Sequence, residues 1–160
     1  LIREGTVDPK RICIMGGSYG GYAALMGAIK TPELFRCAIS WAGVTDVNDM
    51  MRFDRSQMLP KRYKKWRNRV LGEAEVELRT VSPVHRAADV NVPVLLMHGR
   101  DDDNVPYRQA RNFVKAMEKA HKPFEFIEFP EAGHTIDTTE DRKRFLTAAE
   151  AFLAKHNPPD

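Results

Sequence analysis

Four short apolar runs recur along the chain, Arg11 to Met15, Cys37 to Trp41, Val92 to Met97 and Phe124 to Phe129, with segments of helical character between them. Each run is short, apolar and rich in aliphatic or β-branched residues, the signature of a strand buried on both faces. Gly20 to Ile29 is small and apolar throughout and reads as a buried helix. It should end near Thr31-Pro32, because the residue before a proline is pushed out of the helical region. Arg108 to Lys119 and Glu140 to Lys155 are amphipathic; in the second, Phe145, Ala149, Phe152 and Leu153 form one stripe opposite Glu140, Arg142, Lys143 and Glu150. This alternation predicts an α/β fold, a parallel sheet with helices on both faces and right-handed crossovers. With 160 residues, 42% of them hydrophobic, a single domain is expected.

One segment departs from the pattern. Val47 to Pro83, between the second and third runs, is too long for a plain crossover. Within it Leu59, Tyr63, Trp66 and Val70 make a helical stripe, and Lys61, Arg62, Lys64, Lys65, Arg67 and Arg69 fill most of the remaining surface. That basic face reads as the solvated side of an amphipathic helix. The net charge of +3 is too mild for the basic surface a nucleic-acid binder needs, so no nucleic acid is expected as partner. No apolar run approaches the roughly 20 residues that span a bilayer, and no membrane partner is expected. Leu1 to Glu4 read as the interior of a longer protein, which leaves the compartment open. Cys13 and Cys37 fall in strand-like runs, where buried free thiols are the expectation.

In open parallel sheets chemistry collects just beyond the carboxyl ends of the strands. After the first run stands Gly16-Gly17-Ser18-Tyr19-Gly20-Gly21, a Gly-x-Ser-x-Gly on a strand-to-helix turn. Glycines two residues before and after the serine relieve the crowding of such a sharp turn and push Ser18 into the open. The Tyr19 N–H then starts a helix, where it can donate to a developing oxyanion. A phosphate loop is excluded because no Gly-Lys-Ser/Thr follows, and a dinucleotide loop because Ser40, Trp41 and Ala42 stand where an acid is required. A structural glycine turn remains open on this motif alone.

After the third run come Asp101, Asp102 and Asp103, any of which can orient a histidine. An EF-hand is excluded because Val105 and Pro106 stand where an oxygen ligand and a turn glycine are required. After the fourth run, His134 sits in the small-residue loop Pro130-Glu131-Ala132-Gly133, the natural place for a general base. His85, His121 and His156 read as incidental, and His98, at a strand end, as structural. Serine, acid, histidine, each beyond a parallel strand, is the chain order of α/β-hydrolases.

The phrase Gly16-Gly17-Ser18-Tyr19-Gly20-Gly21-Tyr22, preceded by Val7-Asp8-Pro9-Lys10-Arg11-Ile12, resembles the prolyl oligopeptidase family, which includes acylaminoacyl and dipeptidyl peptidases. His98-Gly99-x-x-Asp102-x-x-Val105-Pro106 and Ala132-Gly133-His134 are similar to its acid and histidine segments. The resemblance runs over nearly the whole chain. It implies a serine peptidase acting on short peptides through Ser18, Asp102 and His134, with the Tyr19 N–H in the oxyanion hole and no metal or organic cofactor. It further implies that Tyr19, Val44, Val47 and Val105 line the pocket for the residue before the cleaved bond, and that Asn104 binds substrate backbone. Apolar walls of that kind favour proline or another compact apolar side chain. Asn48 and Met50 stand where dipeptidyl peptidases carry aromatics, which argues against dipeptidyl specificity.

The family also carries a β-propeller and further upstream strands of the hydrolase sheet, neither of which this sequence contains. The expectation is thus a chain, residues 1 to 160, forming the carboxyl-terminal part of an α/β-hydrolase domain, paired with the missing amino-terminal half or with another copy of itself. A carboxylesterase on the same fold and a catalytically incomplete assembly module are the alternatives.

Overall fold

The computed structural model describes residues 1–72 and 77–158. Four parallel strands, β1 (Cys13–Gly17), β2 (Cys37–Trp41), β3 (Val94–Gly99) and β4 (Phe124–Phe129), lie side by side in that order. Helices α1 (Tyr19–Lys30), α4 (Arg108–Lys119) and α5 (Thr139–His156) follow β1, β3 and β4. Between β2 and β3 lie α2 (Val47–Gln57), α3 (Pro60–Leu71) and two short 3-10 turns, Pro83–His85 and Ala87–Asp89. Residues 73–76 of that connection lie outside the described residues.

Two apolar layers sandwich the sheet, and the two-residue period of a strand sorts its side chains between them. Ala38, Val94 and Leu96 pack with Leu25, Met26 and Ile29 of α1 and with Ala110, Phe113 and Met117 of α4. Their neighbours Cys37, Ile39, Trp41, Leu95 and Met97 face the other way, onto Ala149 and Phe152 of α5. The central strands β2 and β3 are buried at every position. β1 is an edge strand, half-buried, with Met15 50% exposed. Among the described residues no helix is long and apolar enough to cross a membrane.

β2, β4 and α4 coincide with the expected segments, and α1 and α5 differ by one residue at each end. β1 and β3 are shifted two residues toward the carboxyl end, because the ladder needs backbone and not side chains. Gly16 and Gly17 pair with Ser40 and Trp41, and His98 and Gly99 pair with Glu128 and Phe129. α2 was not expected. It is polar overall, and its start is set by the Asp46 carboxylate, which accepts from the Asp49 N–H at 3.0 Å. The stripe anticipated around Trp66 does form α3, begun by Pro60 at its first position, yet none of its residues is buried and Leu59 is 77% exposed.

The cysteine expectation is corrected. Cys13 and Cys37 form a disulfide, and no free cysteine remains among the described residues. The two stand directly opposite each other in the β1–β2 register, with Cα atoms 4.8 Å apart. Neighbouring strands run about 4.8 Å apart, which falls within the separation a disulfide spans. Register is a property of the folded sheet and cannot be read from two separate apolar runs.

Candidate active site

The turn after β1 delivers Ser18 with φ of +57° and ψ of −122°, a strained backbone for a residue with a side chain. Its N–H is anchored by the Trp41 carbonyl at 2.8 Å, and its own carbonyl accepts from the Tyr22 N–H at 3.1 Å. A Cβ on Gly16 would lie 2.3 Å from the Gly20 carbonyl oxygen, so nothing larger fits there. Gly20 itself has open space where its Cβ would go; the other crowded glycine of this turn is Gly21, whose Cβ would meet Ser40 Oγ at 2.7 Å and the Trp41 carbonyl at 2.8 Å. The second glycine constraint therefore comes from the packing of α1 on the end of β2. Tyr19 opens α1, and its N–H has no acceptor within the helix.

Ser18 Oγ lies 3.0 Å from His134 Nε2, and His134 Nδ1 lies 2.9 Å from Asp102 Oδ2 and 3.1 Å from Oδ1. The three side chains come from the ends of β1, β3 and β4, as the sequence order suggested. The histidine loop is stitched to the acid loop by Asp101 N–H donating to the Ala132 carbonyl at 3.1 Å and Arg100 N–H to the Phe129 carbonyl at 2.9 Å. Gly99 permits this approach, since a Cβ there would lie 2.2 Å from the Ala132 oxygen. Trp41 Nε1 donates to the His134 carbonyl at 2.9 Å, and its ring packs edge-on against Phe129 and Phe145. The imidazole is thereby held from its backbone side as well as through its ring.

Of the three adjacent aspartates only Asp102 reaches the histidine; Asp101 and Asp103 are exposed. Asp102 Oδ1 accepts from the N–H groups of Asn104 and Val105 at 2.9 and 2.8 Å. Burial pushes its carboxyl up, but hydrogen bonds from His98, the Val105 N–H and His134, with the attraction of His134, outweigh burial and hold it below the usual carboxylate range. It is therefore an acceptor fixed by backbone donors before it meets the histidine.

His98 proves to be part of this arrangement. It is fully buried, and its Nε2 lies 2.8 Å from the Val105 carbonyl and 3.3 Å from Asp102 Oδ2. A carbonyl only accepts, so Nε2 carries the proton and leans on both oxygens. The sequence signal was available: a histidine at the end of a strand otherwise composed of buried apolar residues. His85, His121 and His156 take no part in the Ser18 cluster; His85 and His156 lie near Asp46 and Glu125.

Ser18 opens onto a cavity of about 680 Å³. Tyr19, Val44, Val47, Asn104 and Val105 all line it. Beside Val47, its outer walls include residues the sequence reading did not assign to it, Met50, Met51 and Asp54 of α2 and Trp66, Arg69, Val70 and Leu71 of α3. Gln109 holds the loop that carries Val44 and Val47: its Oε1 accepts from the N–H groups of Thr45 and Asp46 at 2.8 and 2.7 Å. It is 1% exposed, and the visible clue is a polar residue on the apolar stripe of α4. The arrangement can activate a hydroxyl, hold an imidazolium and receive a side chain of moderate size.

Known proteins resemble this chain. Dipeptidyl aminopeptidase BIII of Pseudoxanthomonas mexicana is 30% identical over 96% of this chain and 23% of its own length. The acylamino-acid-releasing enzyme of Rattus norvegicus is 26% identical over 98% of this chain and 22% of its own. The uncomplexed acylaminoacyl peptidase of Pyrococcus horikoshii superposes with a TM-score of 0.80 at 26% identity, covering 99% of this chain and 27% of that one. The chain thus spans about a quarter of the length of these relatives, which are hydrolytic peptidases. The four strands and their helices are an α/β-hydrolase fold. The prolyl oligopeptidase family pattern matches residues 1–158, and the chain belongs to that family of serine peptidases.

Proposed function

We propose that this chain supplies the catalytic serine, histidine and aspartate of a peptidase that hydrolyses short peptides through an acyl-enzyme. One observation carries the reading: Ser18, His134 and Asp102 form an unbroken hydrogen-bonded series at the mouth of an apolar cavity. His134 takes the Ser18 proton as Oγ attacks the scissile carbonyl, and Asp102 stabilises the imidazolium. The Tyr19 N–H donates to the oxyanion. His134 then protonates the departing amine, and a water molecule activated by the same imidazole releases the acid. No metal or organic cofactor enters these steps.

The oxyanion hole so far has one donor, and a missing donor costs on the order of 100 to 1,000-fold in rate. We place these residues in the carboxyl-terminal part of a larger α/β-hydrolase domain, with further strands pairing along the half-exposed edge of β1 and supplying the second donor. The coverage of the relatives and the open β1 edge support this arrangement.

A fluorophosphonate, which reacts with activated serines, tests the proposal on the natural polypeptide that carries this chain. Labelling should fall on Ser18 and disappear in Ser18→Ala, with hydrolysis of short peptide anilides falling on the order of 10⁶-fold. Cleavage of simple esters but of no peptide or acyl-peptide would make it a carboxylesterase. Absence of labelling in folded protein would overturn the proposed chemistry.

A further inference from the structure

A carboxylate stands in the apolar cavity where none was expected. Asp54 is 8% exposed and lines the space that opens at Ser18. Its place follows from helix geometry: Val47, Met50, Met51 and Asp54 occupy positions i, i+3, i+4 and i+7 of α2, one face of the helix, and that face forms the wall. At about 1.5 Å of rise per residue, Asp54 sits roughly 10 Å beyond Val47 along the axis, at the far end of the wall. Among the described residues no hydrogen bond or ion pair reaches its side chain. Arg69, on α3, is the other charged lining residue; it is exposed, and no ion pair joins it to Asp54.

A largely buried carboxylate that faces a cavity and has no partner in the protein is stabilised by a cation that binds beside it. Burial accordingly pushes the Asp54 carboxyl up. Valine and methionine walls suit the methylene stem of a long basic side chain, whose head alone needs a partner. Trp66, which also lines the cavity, offers a ring to a bound cation. A proline or leucine would offer Asp54 no partner.

We infer that Asp54 is a specificity-determining residue, and that the cavity accepts lysine or arginine as the residue before the cleaved bond. This rests on the peptidase reading of Ser18, and it replaces the apolar preference that the resemblance implied. The basic side chain lies along the α2 face, and its cation pairs with Asp54 out of bulk water.

The test is a set of peptide anilides differing only in the residue before the cleaved bond, Lys, Arg, Leu, Pro or Glu. The natural polypeptide carrying this chain is compared with its Asp54→Asn variant, each normalised by fluorophosphonate labelling of Ser18. The wild type should prefer Lys and Arg over Leu and Pro in kcat/KM. Asp54→Asn should lower that ratio at least roughly 30-fold, the low end for removing one partner of a desolvated charge pair. A wild type that labels and cleaves with Leu or Pro ahead of Lys and Arg, or a ratio unmoved in Asp54→Asn, overturns the inference and leaves the peptidase reading standing. No labelling and no cleavage of any anilide overturns both. Should Asp54→Asn fail to fold, the wild-type ratio decides alone.

Discussion

Replacing Asp102 with asparagine isolates what the buried carboxylate does, because the structure dictates how the amide must sit. Oδ1 accepts two backbone N–H groups, from Asn104 and Val105 at 2.9 and 2.8 Å, so in Asp102→Asn the amide oxygen takes that position. The NH₂ group then occupies the Oδ2 position, 2.9 Å from His134 Nδ1 and 3.3 Å from His98 Nε2. His98 already carries its proton on Nε2 to reach the Val105 carbonyl, so two donors face each other there. At His134 the amide donates to Nδ1, which forces the proton onto Nε2, where it points at Ser18 and blocks proton transfer. The expected loss in kcat on a peptide anilide is about 10⁴-fold, as for a wrong-tautomer triad. Stability should also fall, by about 3 kcal/mol near pH 7, because the two backbone N–H bonds lose their charge assistance and the His98 donor meets another donor. The sign with pH is fixed by the depressed carboxyl: its stabilisation is present above the unfolded value of about 3.9 and is lost as pH falls through the folded value. The gap between wild type and variant in thermal unfolding should therefore close in acid. A kcat within about 10-fold of wild type, in protein that still labels at Ser18, would refute the tautomer argument.

Gly16→Ala places a methyl group 2.3 Å from the Gly20 carbonyl oxygen, backbone that cannot step aside. Soluble, labelled protein with unchanged thermal stability would contradict the elbow geometry. Reducing the Cys13–Cys37 bridge, or replacing Cys13 with serine, removes a crosslink closing 24 residues of sequence separation, worth up to about 3.5 kcal/mol by loop entropy; denaturant midpoints with and without reductant measure it, and alkylation before reduction should find no free thiol at either position. Asp54→Asn should shift stability in the opposite sense to Asp102→Asn. A carboxyl raised by burial destabilises the fold once pH climbs past its unfolded value, so the variant should melt higher at pH 7 and match wild type near pH 3.

The parts of this protein legible beforehand are those written in local chemistry. Strand and helix alternation followed from runs of buried apolar residues, and it survived because β2 and β3 are covered on both faces. Ser18 and His134 were legible because each stands in a glycine-bearing loop directly after a strand. Asp102 needed the family resemblance to separate it from two neighbours of identical chemistry; the structure separates them by burial and by the N–H groups of Asn104 and Val105. α2 escaped notice because its inward face comprises Val47, Met50, Met51 and Asp54, in which one member is charged and the pattern reads as polar.

What the sequence by itself determined is the order of elements and the kinds of groups at the strand ends, since these depend on residue identity over a few positions. Tertiary structure alone decided everything that depends on which distant residues meet. The β1–β2 register turned two apolar cysteines into a bridge. The approach of β3 and β4 brought the His134 loop onto Asp102 and Gly99. The folding of α2 against α3 enclosed a carboxylate in the cavity that Trp66 also lines. Each of these joins residues far apart in the chain, where no local preference acts and only packing selects the partner.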